Sequence, residues 1–562
     1  MHPVDPLAPD RPRAQRRWLA VVAVLFALPL GAHPATAQAA PAAPGAPAWT
    51  RGATCYEVFI RSFADANGDG IGDLRGLTAR LDYINDGRPA SAHSLGARCI
   101  WLMPVAESPS YHGYDVSDYY RVERDYGTNA DFQRFMHEAH RRGIRVLVDM
   151  VLNHTSRDNP WFVAASRDTL SPFRSWYRFA APKPAGRGPW GQDVWMKSPV
   201  RDEYYYAVFS SHMPDLDYAN PAVLAEAKKI ATFWLERMHV DGFRLDAVRY
   251  LVEDHGLLQD SPGTHEVLRS YQAYLRGVRP DVFTVGEVYA PVDTVLPYYP
   301  DQLTSYFAFE VADSLIAGVA RGSAAHLLDP ALHLQRDVPA GRWSPFLGNH
   351  DQPRVRTQLG GNLAKARVAA VLLLTMPGMP FVYYGEEIGM TGAKPDERLR
   401  TPMQWTAGHA DGFSTGTPWQ RLADDSATVT VAAQDGDPRS LLTLYRRLIH
   451  LRQHHSALSL GRIVPLTASA DAVAAYLRID GDHVALILAN LGATALRDVT
   501  VETTVDVLSA GRWIPRDLLG WAGAAAFDVA PDGRVRAFVP VDSLPPNTAF
   551  VFELRRAADP AR

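Results

Sequence analysis

The sequence predicts a (β/α)8 barrel carrying an inserted subdomain after its third strand and an all-β domain at its C-terminus. Three observations predict it. From Thr54 onward, short apolar runs alternate with longer amphipathic segments, the pattern of strands separated by helices. Three of those runs close on an acidic residue, namely Asp246, Glu287 and Asp351. Beyond His454 the helical pattern stops, and short alternating runs separated by turn signals such as Asp480-Gly481-Asp482 and Pro531-Asp532-Gly533 take over.

The barrel strands are expected at Cys55–Ile60, Cys99–Met103, Val146–Val151, Gly242–Asp246, Phe283–Glu287, Tyr306–Phe309, Phe346–Gly348 and Pro380–Tyr384. Helices at Asp131–Arg142, Pro221–Met238 and Lys365–Thr375 lie between them, with Leu441–His454 closing the series. The connection from His154 to Tyr218 is too long for a plain loop and reads as a small subdomain. The barrel should therefore span 51–456 with its insertion at 154–218. A β-sandwich follows at 460–557, with strands expected around Ala475–Ile479, Val484–Leu488 and Val499–Val507.

The N-terminus reads as an export signal over residues 1–37. Arg11, Arg13, Arg16 and Arg17 precede a short apolar stretch from Leu19 to Ala32, and Ala35-Thr36-Ala37 offers a cleavage site. Residues 38–50 then form a flexible tether. The expected location is the periplasm or the medium. The apolar stretch is short for a membrane span, so stable membrane association is not expected, and the protein is expected to be a monomer. A net charge of −4 gives no footing for nucleic acid. Export permits a disulfide between the only two cysteines, Cys55 and Cys99. Neighbouring parallel strands rarely offer that geometry, however, so buried free thiols are the alternative.

In Gly242-Phe243-Arg244-Leu245-Asp246 the Arg and the Asp share one face of a strand. A guanidinium there keeps the carboxylate ionised and oriented, as a nucleophile requires. Glu287 closes an apolar run, Thr284-Val285-Gly286, that can raise its pKa and suit it to donate a proton. In a barrel of this kind working residues stand at the C-terminal ends of strands, where these carboxylates fall.

Taken in order, Asp149-Met150-Val151-Leu152-Asn153-His154, Met213-Pro214-Asp215-Leu216-Asp217, Gly242 to Asp246, Gly286-Glu287-Val288 and Asn349-His350-Asp351 resemble the motifs of the α-amylase family of glycoside hydrolases. The resemblance implies Asp246 as nucleophile, Glu287 as general acid/base and Asp351 as stabiliser of the distorted sugar. It implies His154, His350 and Arg400 as partners of the sugar hydroxyls, with His112 and Tyr114 bonding and stacking beside them. Asp65, Asn67, Asp69, the Ile71 carbonyl and Asp73 resemble the metal loop of oligo-1,6-glucosidases, which implies one structural Ca²⁺. Their alternating oxygen ligands suit that ion, although the twelfth position is Gly76 and not the Glu of an EF-hand.

Met213-Pro214-Asp215-Leu216 resembles the group intermediate between oligo-1,6-glucosidases and neopullulanases. Tyr111 stands where glucosidase relatives carry an Asp that caps the terminal sugar, and it is expected to stack on a further glucose unit instead. The resemblance thus implies an α-amylase acting on α-glucans and maltooligosaccharides, with no organic cofactor. The alternatives are an α-glucosidase, a trehalose-synthase-like isomerase using the same covalent intermediate, and a binding-only relative; retention of all three carboxylates argues against the last.

Overall fold

Eight short strands run parallel around a barrel: β1 Cys55–Val58, β2 Cys99–Leu102, β3 Arg145–Met150, β4 Gly242–Leu245, β5 Phe283–Gly286, β6 Ser305–Phe307, β7 Trp343–Ser344 and β8 Phe381–Tyr383. The computed structural model describes residues 45–557 apart from 90, 424 and 426–428. The export signal and the first part of the tether lie outside the described residues. The strands pair in the order β7-β6-β5-β4-β3-β2-β1-β8. The remaining seam is bridged where the Phe381 N–H donates to the Pro345 carbonyl at 2.9 Å. Nearly every strand residue is buried, as a parallel sheet covered on both faces demands, which explains why these runs are mostly apolar, with Glu57, Asp149 and Arg244 the charged exceptions inside.

Seven strands overlap their expected positions. The seventh does not: the strand is Trp343–Ser344, not Phe346–Gly348. Pro345 lacks the N–H needed to continue a ladder, so the apolar Phe346 and Leu347 fill the interior without pairing. Gly242 opens β4 because a Cβ there would lie 1.9 Å from the Phe283 carbonyl oxygen. Cys55 and Cys99 form a disulfide, which corrects the expectation that neighbouring parallel strands would not suit one. The β1–β2 register sets the two residues directly opposite each other, with Cα atoms 4.2 Å apart.

The intervening helices start at side-chain caps. Asn129–Arg141 begins with a Thr128–Asp131 capping box, and Asn220, Asn362 and Ser440 cap Pro221–Thr232, Leu363–Leu374 and Leu441–His454. Between β3 and β4 the insertion folds into a helix, Pro160–Arg167, and a three-stranded antiparallel sheet with Tyr204–Tyr206 in the middle.

The C-terminal region is a six-stranded antiparallel sheet flanked by two two-stranded ribbons. The expected Val499–Val507 strand is reduced to Val501–Glu502. One buried arginine, Arg478, joins this sheet to the barrel, and a second, Arg452, ties the helix Leu441–His454 to the segments packed around it. Arg452 donates to the carbonyls of Leu374, Met376, Leu458 and Gly378, and Arg478 to those of Gly461 and Thr375. Backbone carbonyls, not carboxylates, meet both guanidinium groups, although Arg452 Nε is left without a partner among the described residues.

Candidate active site

Strand alternation turns Arg244 toward the barrel axis, above Trp101 of β2, with its guanidinium carbon 5.2 Å from the Trp ring centre. The side chain is 1% exposed, and its two terminal nitrogens hold three carboxylates. Nη1 donates to Asp149 Oδ1 at 2.8 Å and to Asp246 Oδ1 at 2.6 Å, while Nη2 donates to Glu287 Oε2 at 2.7 Å. Asp246 and Glu287 continue the ladder one residue past their strands, their N–H groups donating to Met150 and Leu245 carbonyls. Both carboxyls therefore stand on the C-terminal rim. Ala247 then turns the chain with φ of 48°, and its N–H reaches Glu287 Oε2 at 3.2 Å. A left-handed alanine is costly unless its surroundings hold it; here it delivers a donor to the second carboxyl.

Asp351 is held from two sides. Arg400 Nη2 donates to its Oδ1 at 2.8 Å, and His350 Nε2 lies 3.1 Å from its Oδ2. Arg400 also donates from Nε to the His350 carbonyl, which locks the two segments together. Tyr114 stacks on His350 with ring centres 5.5 Å apart and donates to Asp149 Oδ2 at 3.0 Å. His112 Nδ1 accepts the Tyr114 N–H at 3.1 Å, and His154 Nε2 lies 3.2 Å from the Tyr114 carbonyl.

Burial pushes the Asp246 and Glu287 carboxyls up, against the pull of Arg244, and the negative charges of Asp246 and Asp351 raise Glu287 further. Burial also pushes Asp149 up to about 7, again opposed by Arg244. Asp351 behaves oppositely: despite burial, the charges of His350 and Arg400 hold it well below the usual carboxylate range. Burial lowers both outer histidines, His154 to about 4, so they meet a ligand as neutral imidazoles.

His112, Tyr114, His154, Asp246, Glu287, Asp351 and Arg400 line one cleft of about 590 Å³. Arg244 and His350 stand behind its wall. Tyr111 does not line it: its ring stacks on Trp419 at 5.3 Å and its hydroxyl accepts from Arg400 Nη1 at 3.4 Å. The cleft wall near Arg400 carries Asp396 instead, 3.4 Å from Arg400 Nη2. A larger surface hollow of about 740 Å³, around Thr357, Thr391, Arg398 and Gln420, has no carboxylate among the described residues of its lining.

The Asp65–Asp73 loop is oxygen-rich, which is the donor chemistry Ca²⁺ takes. Its oxygens are engaged locally. Asp65 accepts from the N–H groups of Asn67, Gly68 and Gly70 and from Ser414, Asn67 Oδ1 from Asp69 N–H, Asp69 Oδ1 from Ile71 N–H, and Asp73 Oδ1 caps the next helix at Gly76. Among the described residues no three His, Cys, Asp or Glu side chains converge as a metal cluster. The loop is distant from the carboxylates in sequence but not isolated from the cleft wall. Trp419, which stacks on Tyr111, donates its backbone N–H to the Gly70 carbonyl at 2.9 Å.

Sequence reasoning left Asp149, Glu57, Trp101 and Asp396 out of the site. Asp149 opened a quoted motif and was the one within reach of notice, since it falls late on β3 and faces Arg244 in register. Glu57 and Trp101 lie within apolar runs, where only the barrel's closure reveals their inward direction.

Paired carboxyls on the C-terminal rim of a (β/α)8 barrel, with neutral histidines around a cleft of sugar size, define a glycoside hydrolase. The family model described as alpha amylase, catalytic domain, matches residues 57–461. Alpha-amylase 3 of Dictyoglomus thermophilum is 38% identical over 448 residues, covering 79% of this chain and 85% of that one. Oligo-1,6-glucosidase of Parageobacillus thermoglucosidasius is 31% identical, covering 79% and 90%. The crystal structure of alpha-amylase from H. orenii superposes with a TM-score of 0.77 at 37% identity, covering 89% of this chain and 99% of that one. The chain belongs to the α-amylase family.

The electrostatics predict the pH profile. If Asp246 works ionised and Glu287 works protonated, activity falls in acid as Asp246 gains a proton and in base as Glu287 loses one. Arg244 lowers both pKa values. Arg244→Met should therefore shift both limbs of the kcat/KM profile to higher pH, with a rate loss on the order of 10²–10³. A profile displaced toward acid would contradict this assignment.

Proposed function

We propose that this protein is an exported, retaining α-amylase that hydrolyses internal α-1,4 bonds of starch and maltooligosaccharides. The observation that carries the reading is the single guanidinium shared by Asp246 and Glu287. It supports a short carboxyl separation, and retention works at ~5 Å where inversion needs ~6.5–9.5 Å. Asp246 forms a bond to the anomeric carbon while the glycosidic C–O bond breaks and Glu287 gives its proton to the leaving oxygen. Glu287, now a carboxylate, takes a proton from water, whose oxygen attacks the same carbon and releases Asp246. Asp351, kept ionised, grips the hydroxyls of the distorted sugar, and its contacts tighten as the ring flattens.

Action on long chains is supported by the rim of the cleft. Trp190 from the insertion and Tyr289 after β5 both line it and are 57% and 59% exposed. Exposed rings of this kind offer a sugar a stacking face. Tyr111 no longer serves that argument, because Trp419 covers one of its faces. One observation favours a second reading, an α-glucosidase: Asp396 beside Arg400 places an acidic group on the cleft wall, where it can bond the hydroxyls of a terminal sugar. Export rests on the N-terminal signal alone; among the described residues no helix is long and apolar enough to cross a membrane.

Fresh product from maltoheptaose, followed by NMR, should appear first as the α-anomer, and starch–iodine colour should fall faster than reducing ends accumulate. Stepwise glucose release with maltose or trehalose turned over as fast as maltoheptaose would support the second reading instead. Trp190→Ala should lower kcat/KM on maltoheptaose by roughly threefold to tenfold and leave maltotriose little changed. An equal loss on both substrates would remove Trp190 from chain binding.

We also propose one Ca²⁺ in the Asp65–Asp73 loop, supported by its all-oxygen donor set. An ion bound only by the native state stabilises it by mass action. A chelator should then lower the melting temperature, and Asp69→Ala should abolish that response. Identical melting curves with and without chelator would remove the ion from the account.

A further inference from the structure

Behind the cleft wall, Glu57 of β1 makes a contact that the chemistry above does not use. Its carboxyl is 1% exposed, and Oε1 lies 2.6 Å from His350 Nδ1. A bare carboxylate so deep in the barrel is costly unless a charged partner meets it. The opposite side of the His350 ring is equally engaged. Nε2 lies 2.6 Å from the Tyr114 hydroxyl and 3.1 Å from Asp351 Oδ2. Tyr114 can give its one proton to Asp149 Oδ2 at 3.0 Å, which leaves its oxygen to accept from His350. Asp351, held ionised, is an acceptor in either arrangement. Carboxylates thus face both ring nitrogens of His350, and only the imidazolium carries a proton on each.

We propose that Glu57 is a positioning residue that holds His350 as an imidazolium from behind, so that His350 presents a permanent charged N–H to Asp351 and Tyr114 in the cleft. The device works through geometry the barrel makes rigid. Glu57 is on a strand, its backbone carbonyl accepts the Tyr384 N–H at 2.9 Å, and His350 is wedged against Trp101 with ring centres 5.6 Å apart. The other charges nearby divide. Arg244 favours an ionised Glu57, whereas Asp351 and Glu386 oppose it; Asp351, Asp149 and Asp246 favour a charged His350, against the Arg400 guanidinium on its carbonyl. Burial alone would lower His350, yet Asp351 and Glu57 together lift it to about 9. Because the folded value is raised, the charged ring persists from acid up to that pH and is lost only above it.

The consequence is functional. A charged His350 keeps Asp351 ionised throughout the working range and fixes the direction of its carboxylate toward the sugar. This role rests on the proposed action of Asp351 on substrate; the charge state of His350 does not. The test separates the two.

In protein labelled with ¹⁵N-histidine and free of substrate, His350, assigned through the missing signal of His350→Asn, should show both ring nitrogens protonated at pH 7.5. In Glu57→Gln, whose amide oxygen still accepts from Nδ1 without charge, it should titrate near the ordinary ~6.5. The kcat/KM of Glu57→Gln on maltoheptaose, divided by the wild-type value at each pH, should then fall on the order of tenfold between pH 6 and pH 8, mainly through a higher KM. Glu57→Asp, which keeps the charge, should recover part of that loss. A neutral His350 in the wild type at pH 7.5 overturns the proposal whether or not the variant folds, and so does a variant-to-wild-type ratio that stays flat with pH. An imidazolium that titrates as expected in a protein without activity on α-glucans would instead leave the proposal standing and overturn the reading of the substrate.

Discussion

The buried guanidinium of Arg244 is the interaction on which the site depends. Three carboxyls converge within hydrogen-bond reach of it, at a depth where unpaired negative charges repel strongly and are poorly solvated. Without the cation, burial and mutual repulsion would drive protons onto all of them. With it, each carboxyl is pulled back toward its ionised form against burial. Arg suits this position better than Lys, because its planar fork serves two directions at once and remains charged.

The rest of the barrel arranges itself around that charge. Trp101 supports the guanidinium from below, Tyr114 ties Asp149 to His350, and Arg400 with His350 forms a second cationic pair dedicated to Asp351. The site thus divides into three carboxyls governed by Arg244 and a single carboxylate governed by the other two cations. Their opposite displacements in acidity follow from that division. The three carboxyls share one cation and are raised, while Asp351 has two close cations and is lowered.

Much of this is legible in the sequence because it is local. Arg244 and Asp246 are two residues apart on a strand, and strand-end carboxylates are visible where an apolar run stops. Seven barrel strands are found the same way, since burial on both faces writes itself as apolarity. The seventh is displaced because apolarity reports burial and not pairing, and Pro345 separates the two. What sequence does not carry is anything made by closure of the barrel. Glu57 meets a histidine 293 residues away, Tyr111 is covered by Trp419, and Asp396 comes to the cleft from the start of the short helix Asp396–Leu399. The Arg244–Asp246 contact expected from the strand spacing is present, but Glu287 reaches the same guanidinium only through the β4–β5 pairing.

The central claim is that Asp246, and not Glu287, becomes bonded to the sugar while both share Arg244. It is tested most directly by trapping. A fluorinated α-glucosyl fluoride that forms the covalent intermediate but slows its hydrolysis should leave one sugar on the protein. Peptide mass spectrometry should place that sugar on the peptide containing Asp246, at the Asp246 carboxyl. A sugar found on Glu287, or no covalent adduct while turnover continues, would contradict the account.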